Sequence, residues 1–142
     1  MATLTQITVR GYHEDRFGHV NNARYLEFLE QARWEHLEEQ GLSIDHLEAH
    51  GVFPVVVRMA ISYRRPASAG NALEITTKLS STSSRRVVLE QEARFAESEE
   101  VCIRATVTAV FLATETGRPV ALSHDLFKDW TDLQRIQYGV RS

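Results

Sequence analysis

The chain has very little cysteine, no excess of positive charge and no long apolar run. Cys102 is the single cysteine among 142 residues, so an intrachain disulfide is excluded and a reducing compartment is favoured. The formal net charge of -3 argues against general nucleic-acid binding, because that function needs a basic face. No apolar run approaches the ~20 residues that a membrane-spanning helix requires.

The first residues, Met1–Gln6, show neither the basic segment nor the apolar segment of a signal peptide. We therefore expect a soluble, cytoplasmic protein. A length of 142 residues fits one domain with a real core, which we place at residues 1–142. No His, Cys and carboxylate set has metal-ligand spacing, so neither a metal nor a cofactor is expected.

A polar loop that runs into a long helix is the most informative part of the chain. Tyr12–Val20 is polar and aperiodic, and either Asn21 or Asn22 is a suitable N-cap. Helical periodicity then extends from about Ala23 to Gln40, with Trp34 on the polar side. The predicted buried stripe consists of Tyr25, Leu26, Phe28, Leu29, Ala32, Arg33, His36 and Leu37. At the border of this stripe, Glu30 is placed to form an ion pair with Arg33.

Alternating apolar and polar residues predict several strands with short connections. The predicted strands cover residues 4–10, 55–64, 73–79, 87–95 and 101–113. The last of them has the least polar second face, which predicts a central position. Shorter elements are predicted as a helix at Ser43–His50, an edge strand at Pro119–Leu122 and a helix capped by Ser123. The predicted class is α+β, with one long helix packed on one curved antiparallel sheet whose open edges favour dimerisation.

The run Asp15–Leu26 carries the pattern Asp-x-x-Gly-His-Val-Asn-Asn-x-x-Tyr-Leu. Together with Phe28, Glu30, Ala32 and Arg33, it resembles the signature of hotdog-fold acyl-CoA thioesterases of the 4-hydroxybenzoyl-CoA thioesterase class. The runs at 9–13, 25–34 and 63–67 look closest to the bacterial long-chain acyl-CoA thioesterases of that family. Asn71 departs from the family, which usually has aspartate after the glycine at this turn.

The resemblance implies a hotdog fold, in which a long central helix is wrapped by a five- or six-stranded antiparallel sheet. It also implies a homodimer, often paired into a homotetramer, with active sites at the dimer interface. The implied activity is hydrolysis of medium- to long-chain fatty acyl-CoA to free fatty acid and CoA. Two alternatives stay open: an acyl-carrier-protein thioesterase, and a non-catalytic acyl-CoA-binding regulator on the same fold.

By this resemblance, Asp15 acts as general base or as nucleophile. The alternative is a loop aspartate that bonds its own backbone. The N–H of Asn22, at the helix N-terminus, is the candidate to polarise the thioester carbonyl. Gly18 lets the backbone turn and the substrate approach. His19 either orients Asp15 or the substrate, or is a packed histidine bonded to backbone.

Two doubled arginines at strand ends, Arg64-Arg65 and Arg85-Arg86, are candidates to bind the phosphates of CoA. Solvated arginines at strand ends are the alternative. Cys102 is expected to be a small buried residue and not a nucleophile. The apolar slot for the acyl chain is expected to include Tyr25, Phe28 and Leu29.

Overall fold

The computed structural model describes residues 2–131 of the chain. Its strands are β1 (Thr3–Thr8), β2 (Val52–Tyr63), β3 (Ala72–Thr82), β4 (Arg86–Phe95) and β5 (Val101–Ala113). They form one five-stranded antiparallel sheet in the order β1-β3-β4-β5-β2. The long helix α1 (Asn22–Glu39) packs against β1 and β3, and the short helix α2 (Ile44–Ala49) packs against β2. The predicted α+β class is confirmed.

Local capping sets both ends of α1. Asn21 is the N-cap, and its Oδ1 accepts a hydrogen bond of 2.9 Å from the N–H of Ala23. Gly41, just past the other end, has a φ of 81°, which glycine adopts without strain. Six members of the predicted stripe are buried, but Leu26 is 42% exposed and the prediction is wrong there.

The bulge in β2 changes which side chains face α1. The pairing with β5 shifts register between Val56 and Arg58, so Val57 is an extra residue. Val56 therefore lies on the helix side before the bulge, whereas Met59 and Ile61 pack on the core after it. A strict alternation from Val55 to Tyr63 predicts the wrong face for the first part of the strand.

Three further predictions need correction. β4 is the middle strand of the sheet, whereas β5 lies between β4 and the edge strand β2. Two apolar faces indicate that a strand is buried, but they do not give its position in the strand order. Pro119 makes one isolated bridge to Leu112 in place of a strand. His124, not Ser123, caps a 3-10 turn at Asp125–Phe127. Residues 128–131 are helical, so the predicted helix through Trp130 is confirmed for its second half.

His36 links α1 to two other parts of the fold from a fully buried position. Its Nε2 accepts a bond of 3.1 Å from the indole N–H of Trp130, so the proton of the neutral ring lies on Nδ1. Nδ1 in turn contacts Oγ1 of Thr3 at 2.9 Å. Burial lowers the pKa of His36 to about 4, which keeps the ring neutral at physiological pH.

No helix among residues 2–131 has both the length and the hydropathy needed to cross a membrane.

Candidate active site

The loop at residues 14–21, called here the Asp15 loop, folds back on itself before α1. Glu14 and Val20 form an antiparallel bridge. Inside it, the N–H of Asp15 donates to the carbonyl of His19 at 2.9 Å, and the N–H of Gly18 donates to the carbonyl of Asp15 at 3.1 Å. Gly18 has a φ of 78°, a conformation that suits glycine. The loop is therefore a closed turn that holds Asp15 at a defined place.

The side chain of Asp15 is exposed and takes part in this turn. Its Oδ1 accepts a hydrogen bond of 2.8 Å from the N–H of Phe17, two residues on. Asp15 thus does bond its own backbone, as one of the two alternatives predicts. A carboxylate has a second oxygen and further lone pairs, so this bond leaves acceptor capacity for a water molecule or a substrate.

The Asp15 loop is joined to the connection between β2 and β3, residues 64–71, by a set of hydrogen bonds. They are Val20 N–H to the carbonyl of Ala67 (2.8 Å), Ser68 Oγ to the carbonyl of Gly18 (2.9 Å) and Ala69 N–H to Oε2 of Glu14 (2.8 Å). Because the bonds are spread along both segments, the two loops form one platform. Sequence reasoning did not identify Glu14 as part of it.

Tyr25, on α1, supports this platform through a contact with Ala67. Its hydroxyl accepts a hydrogen bond of 3.0 Å from the N–H of Ala67, and the side chain is buried. Burial raises the pKa of Tyr25, so the hydroxyl stays protonated. Cys102 lies beside it, with its Sγ 3.2 Å from the carbonyl of Arg65. Burial raises the pKa of the Cys102 thiol, which fits the predicted structural role and not a nucleophile.

One backbone N–H at the start of α1 is open. The N–H of Ala23 is bonded to Oδ1 of Asn21, and the N–H of Arg24 is bonded to the carbonyl of Asn21 at 2.8 Å. The N–H of Asn22 has no hydrogen-bond partner within residues 2–131. Unpaired N–H groups at a helix start form the positive end of the helix dipole and attract negative charge.

A cavity of about 390 Å³ lies where these elements meet. It is lined by six of the predicted site residues: Asp15, His19, Asn22, Tyr25, Arg64 and Arg65. His19 is exposed, so the alternative of a packed histidine is wrong. Phe28 and Leu29 are buried in the core and do not line this cavity. The walls also include two residues that sequence reasoning did not identify, Phe17 and Tyr63.

The two arginine pairs have different positions. Arg64 and Arg65 line the cavity, and Nη1 of Arg65 forms an exposed ion pair of 2.6 Å with Glu100. Arg85 precedes β4 and Arg86 is its first residue, paired with Val110 at the opposite end of the sheet. β4 has 10 residues, so nine steps of about 3.3 Å place its two ends about 30 Å apart. One protomer therefore does not bring the two pairs together.

A family model described as the thioesterase-like superfamily matches residues 9–130. The chain belongs to this superfamily. It is 43% identical over 122 residues to the long-chain acyl-CoA thioesterase FadM of Escherichia coli, a match that covers 86% of this chain and 92% of that protein. It is 37% identical over 98 residues to the acyl-CoA thioester hydrolase YbgC of Escherichia coli, covering 68% of this chain and 73% of YbgC.

Solved structures in this superfamily share the fold. The crystal structure of the probable thioesterase YbaW from Escherichia coli has a TM-score of 0.79 and 41% sequence identity, and the match covers 89% of this chain and 94% of that one. The predicted hotdog fold and the predicted family are confirmed.

Proposed function

We propose that this acyl-CoA thioesterase hydrolyses medium- to long-chain fatty acyl-CoA to free fatty acid and CoA, with Asp15 as the reactive carboxylate. One observation carries the proposal: Asp15 and the unpaired N–H of Asn22 border the same cavity. A carboxylate and an open N–H donor are the two groups that thioester hydrolysis needs. The name of FadM, the relative with 43% identity, supports the long-chain preference.

In the reaction the carbonyl carbon gains a bond to oxygen and loses its bond to sulfur. Asp15 either takes a proton from the attacking water, or attacks the carbonyl itself to form a mixed anhydride that water then cleaves. Both routes require an ionised Asp15. Negative charge develops on the carbonyl oxygen, and the N–H of Asn22 stabilises it by about 3–4 kcal/mol. The departing thiolate of CoA takes up a proton.

Release of free thiol from butyryl- to stearoyl-CoA tests this function. We expect turnover with a maximum among the longer chains. The same acyl groups are also tested as thioesters of acyl-carrier protein. If their kcat/KM is much higher than that of the CoA esters, acyl-carrier protein and not CoA is the natural carrier. Saturable binding of every ester without turnover would instead identify a non-catalytic regulator.

The proposal also places the protein in the cytoplasm. Cys102 is a single, buried and free cysteine, which suits a reducing compartment.

Arg64 and Arg65 are proposed to bind the phosphates of CoA, because they border the cavity and are exposed. The double variant Arg64→Gln/Arg65→Gln should raise KM for palmitoyl-CoA about tenfold, a loss of about 1.4 kcal/mol of binding. KM for the palmitoyl thioester of N-acetylcysteamine, which has no phosphate, should stay unchanged. Arg118→Gln, at an exposed turn elsewhere, is the matched control. An equal rise in KM for both thioesters would refute the assignment.

The free edge of β2 is proposed to pair with β2 of a second copy. This strand has 12 residues and, within the described chain, pairs only with β5. Its exposed apolar residues include Phe53 (40%), Val56 (41%) and Val57 (49%). A long apolar edge of this kind associates unless it is covered, and an isologous two-fold pairing covers it. Antiparallel pairing also brings the second copy's Arg85 and Arg86 to the end of the joined sheet that holds Arg64 and Arg65.

Sedimentation measurements test this pairing. The wild-type protein should sediment as a dimer or a pair of dimers, and Val57→Lys should shift it toward the monomer, because a lysine at the edge opposes strand addition. Leu4→Lys is the control, since Leu4 is 54% exposed on β1, the opposite edge of the sheet. Equal effects of the two variants would contradict an interface at β2.

A further inference from the structure

Tyr25 and Cys102 form a buried polar contact that the proposed reaction does not use. The hydroxyl of Tyr25 lies 3.8 Å from Sγ of Cys102, and both residues belong to the hydrophobic core. Tyr25 is in the first turn of α1, three residues after Asn22, and Cys102 is the second residue of β5. Burial raises the pKa of both groups, so both keep a proton. A buried proton of this kind needs an acceptor.

The neighbouring contacts decide where the two protons point. The carbonyl of Arg65 can only accept, so the thiol of Cys102 donates to it at 3.2 Å. The N–H of Ala67 donates to the Tyr25 hydroxyl at 3.0 Å, and Sγ is the one other polar atom bonded to that hydroxyl among residues 2–131. The Tyr25 hydroxyl therefore donates to Sγ. The resulting chain of hydrogen bonds, from Ala67 through Tyr25 and Cys102 to Arg65, is called here the Tyr25–Cys102 relay.

The relay joins α1 to the arginine pair. Besides the thiol bond, the carbonyl of Cys102 accepts hydrogen bonds from the N–H groups of Arg64 at 2.9 Å and of Arg65 at 3.1 Å. Cys102 thus holds both arginines through its backbone, and Arg65 through its side chain as well. Tyr25 connects this anchor to the turn of α1 that begins at Asn22.

We propose that Tyr25 and Cys102 are positioning residues, which set the span between the open N–H of Asn22 and the arginine pair. The inference rests on the proposed function, in which a CoA thioester has its carbonyl at one of these points and its phosphates at the other. Asp15 is fixed relative to Asn22 locally, by the cap at Asn21 and by the bonds inside the Asp15 loop. In this role Tyr25 is not a substrate ligand, because its one hydroxyl proton is used within the protein.

Kinetics on two thioesters test the positioning role. Palmitoyl-CoA reaches both ends of the span, whereas the palmitoyl thioester of N-acetylcysteamine has no phosphate. Tyr25→Phe should lower kcat/KM for palmitoyl-CoA about tenfold, less than the roughly 100-fold that a misplacement of about 1 Å can cost, and should leave that for the other thioester within about twofold. A change that only weakens the fold reduces both values by the same factor. An equal loss on both thioesters, or no loss on either, would overturn the proposal.

A double-mutant cycle tests whether the two residues act as one unit. Cys102→Ala breaks the relay at its other member and should show the same selective loss. Tyr25→Phe/Cys102→Ala should also lose about tenfold, and not the roughly 100-fold expected for two independent sites. Cys102→Ser keeps one donor and an acceptor and should stay within about threefold of the wild type. Additive losses in the double variant, or equal losses in Cys102→Ser and Cys102→Ala, would contradict the relay.

The infrared S–H stretching band tests the relay without any turnover. Cys102 is the single cysteine of the chain, so the band reports one thiol. Tyr25→Phe removes the hydroxyl that donates to Sγ. Because linked hydrogen bonds strengthen each other, the bond from the thiol to Arg65 should weaken and the band should shift to higher frequency. Tyr12→Phe, at a tyrosine that is 71% exposed, is the matched control and should leave the band unchanged. An identical band in the wild type and Tyr25→Phe would refute the contact.

These measurements keep the inference separate from folding and from the proposed function. If Tyr25→Phe does not fold, Cys102→Ala carries the same comparison of the two thioesters. If the wild type hydrolyses palmitoyl-CoA and neither variant lowers the rate, the positioning role fails while the thioesterase function stands. If the wild type hydrolyses neither thioester, the proposed function fails and the positioning role fails with it, whereas the infrared band still reports whether the relay exists.

Discussion

Asp15→Asn is expected to lower kcat for palmitoyl-CoA by about 10²–10⁴-fold, the usual contribution of a positioned acid–base group. The amide oxygen of asparagine can still accept the N–H of Phe17, so the turn of the Asp15 loop is retained. The amide can neither take a proton from water nor attack a carbonyl. Thiol release under saturating substrate measures the effect, and KM should change little because binding groups are untouched.

Glu14→Gln is the control for this variant. It removes a carboxylate charge from the adjacent residue, and its amide oxygen can still accept the N–H of Ala69. We expect kcat to stay within a few-fold of the wild-type value. The role assigned to Asp15 would be wrong if Asp15→Asn kept wild-type kcat, or if Glu14→Gln lost as much activity.

Asn22→Pro is expected to lower kcat by about 10²–10³-fold, because it removes the one N–H proposed to stabilise the oxyanion. The first residue of a helix is the position where proline is best tolerated. Asn21, which precedes it, has φ −61° and ψ 138°, a conformation that proline accepts in its neighbour. The lost N–H has no partner in the described chain, so the fold should keep its thermal midpoint.

Asn22→Ala separates the backbone group from the side chain. It keeps the N–H and removes the side-chain amide, so activity should stay close to wild type. Steady-state kinetics and thermal unfolding of both variants are compared. If Asn22→Pro and Asn22→Ala had the same kcat, the oxyanion donor would have to be sought elsewhere.

Elements that depend on near neighbours along the chain were predictable. The predicted helix at 23–40 agrees with α1, Asn22–Glu39, to within one residue, because the cap at Asn21 and the glycine at 41 act over a few residues. The short helix α2 is predictable for the same reason, because its cap is local: Oγ of Ser43 accepts a hydrogen bond from the N–H of His46. The strands were found from their alternation, which reflects a sheet with one buried face.

Errors arose where a distant partner decides the outcome. Leu26 has the periodicity of a buried residue, yet it is 42% exposed, because α1 packs on β1 and β3 with its other buried residues. Arg33 bonds to Gln91, which is 58 residues away in sequence, in place of Glu30. The bulge at Val57 comes from pairing with β5, and the residues of β2 alone do not reveal it.

The sequence by itself determined that Asp15 lies near the start of α1, because only five loop residues and the cap Asn21 separate Asp15 from Asn22. Only the tertiary structure decided what surrounds them. The return of the chain after β2 places Arg64 and Arg65 beside Asp15, held through Ala67 by Tyr25 and Val20. The second arginine pair has the same local pattern but lies at the other end of the sheet. Strand pairing over long sequence separations sets these distances, and local residue patterns do not contain them.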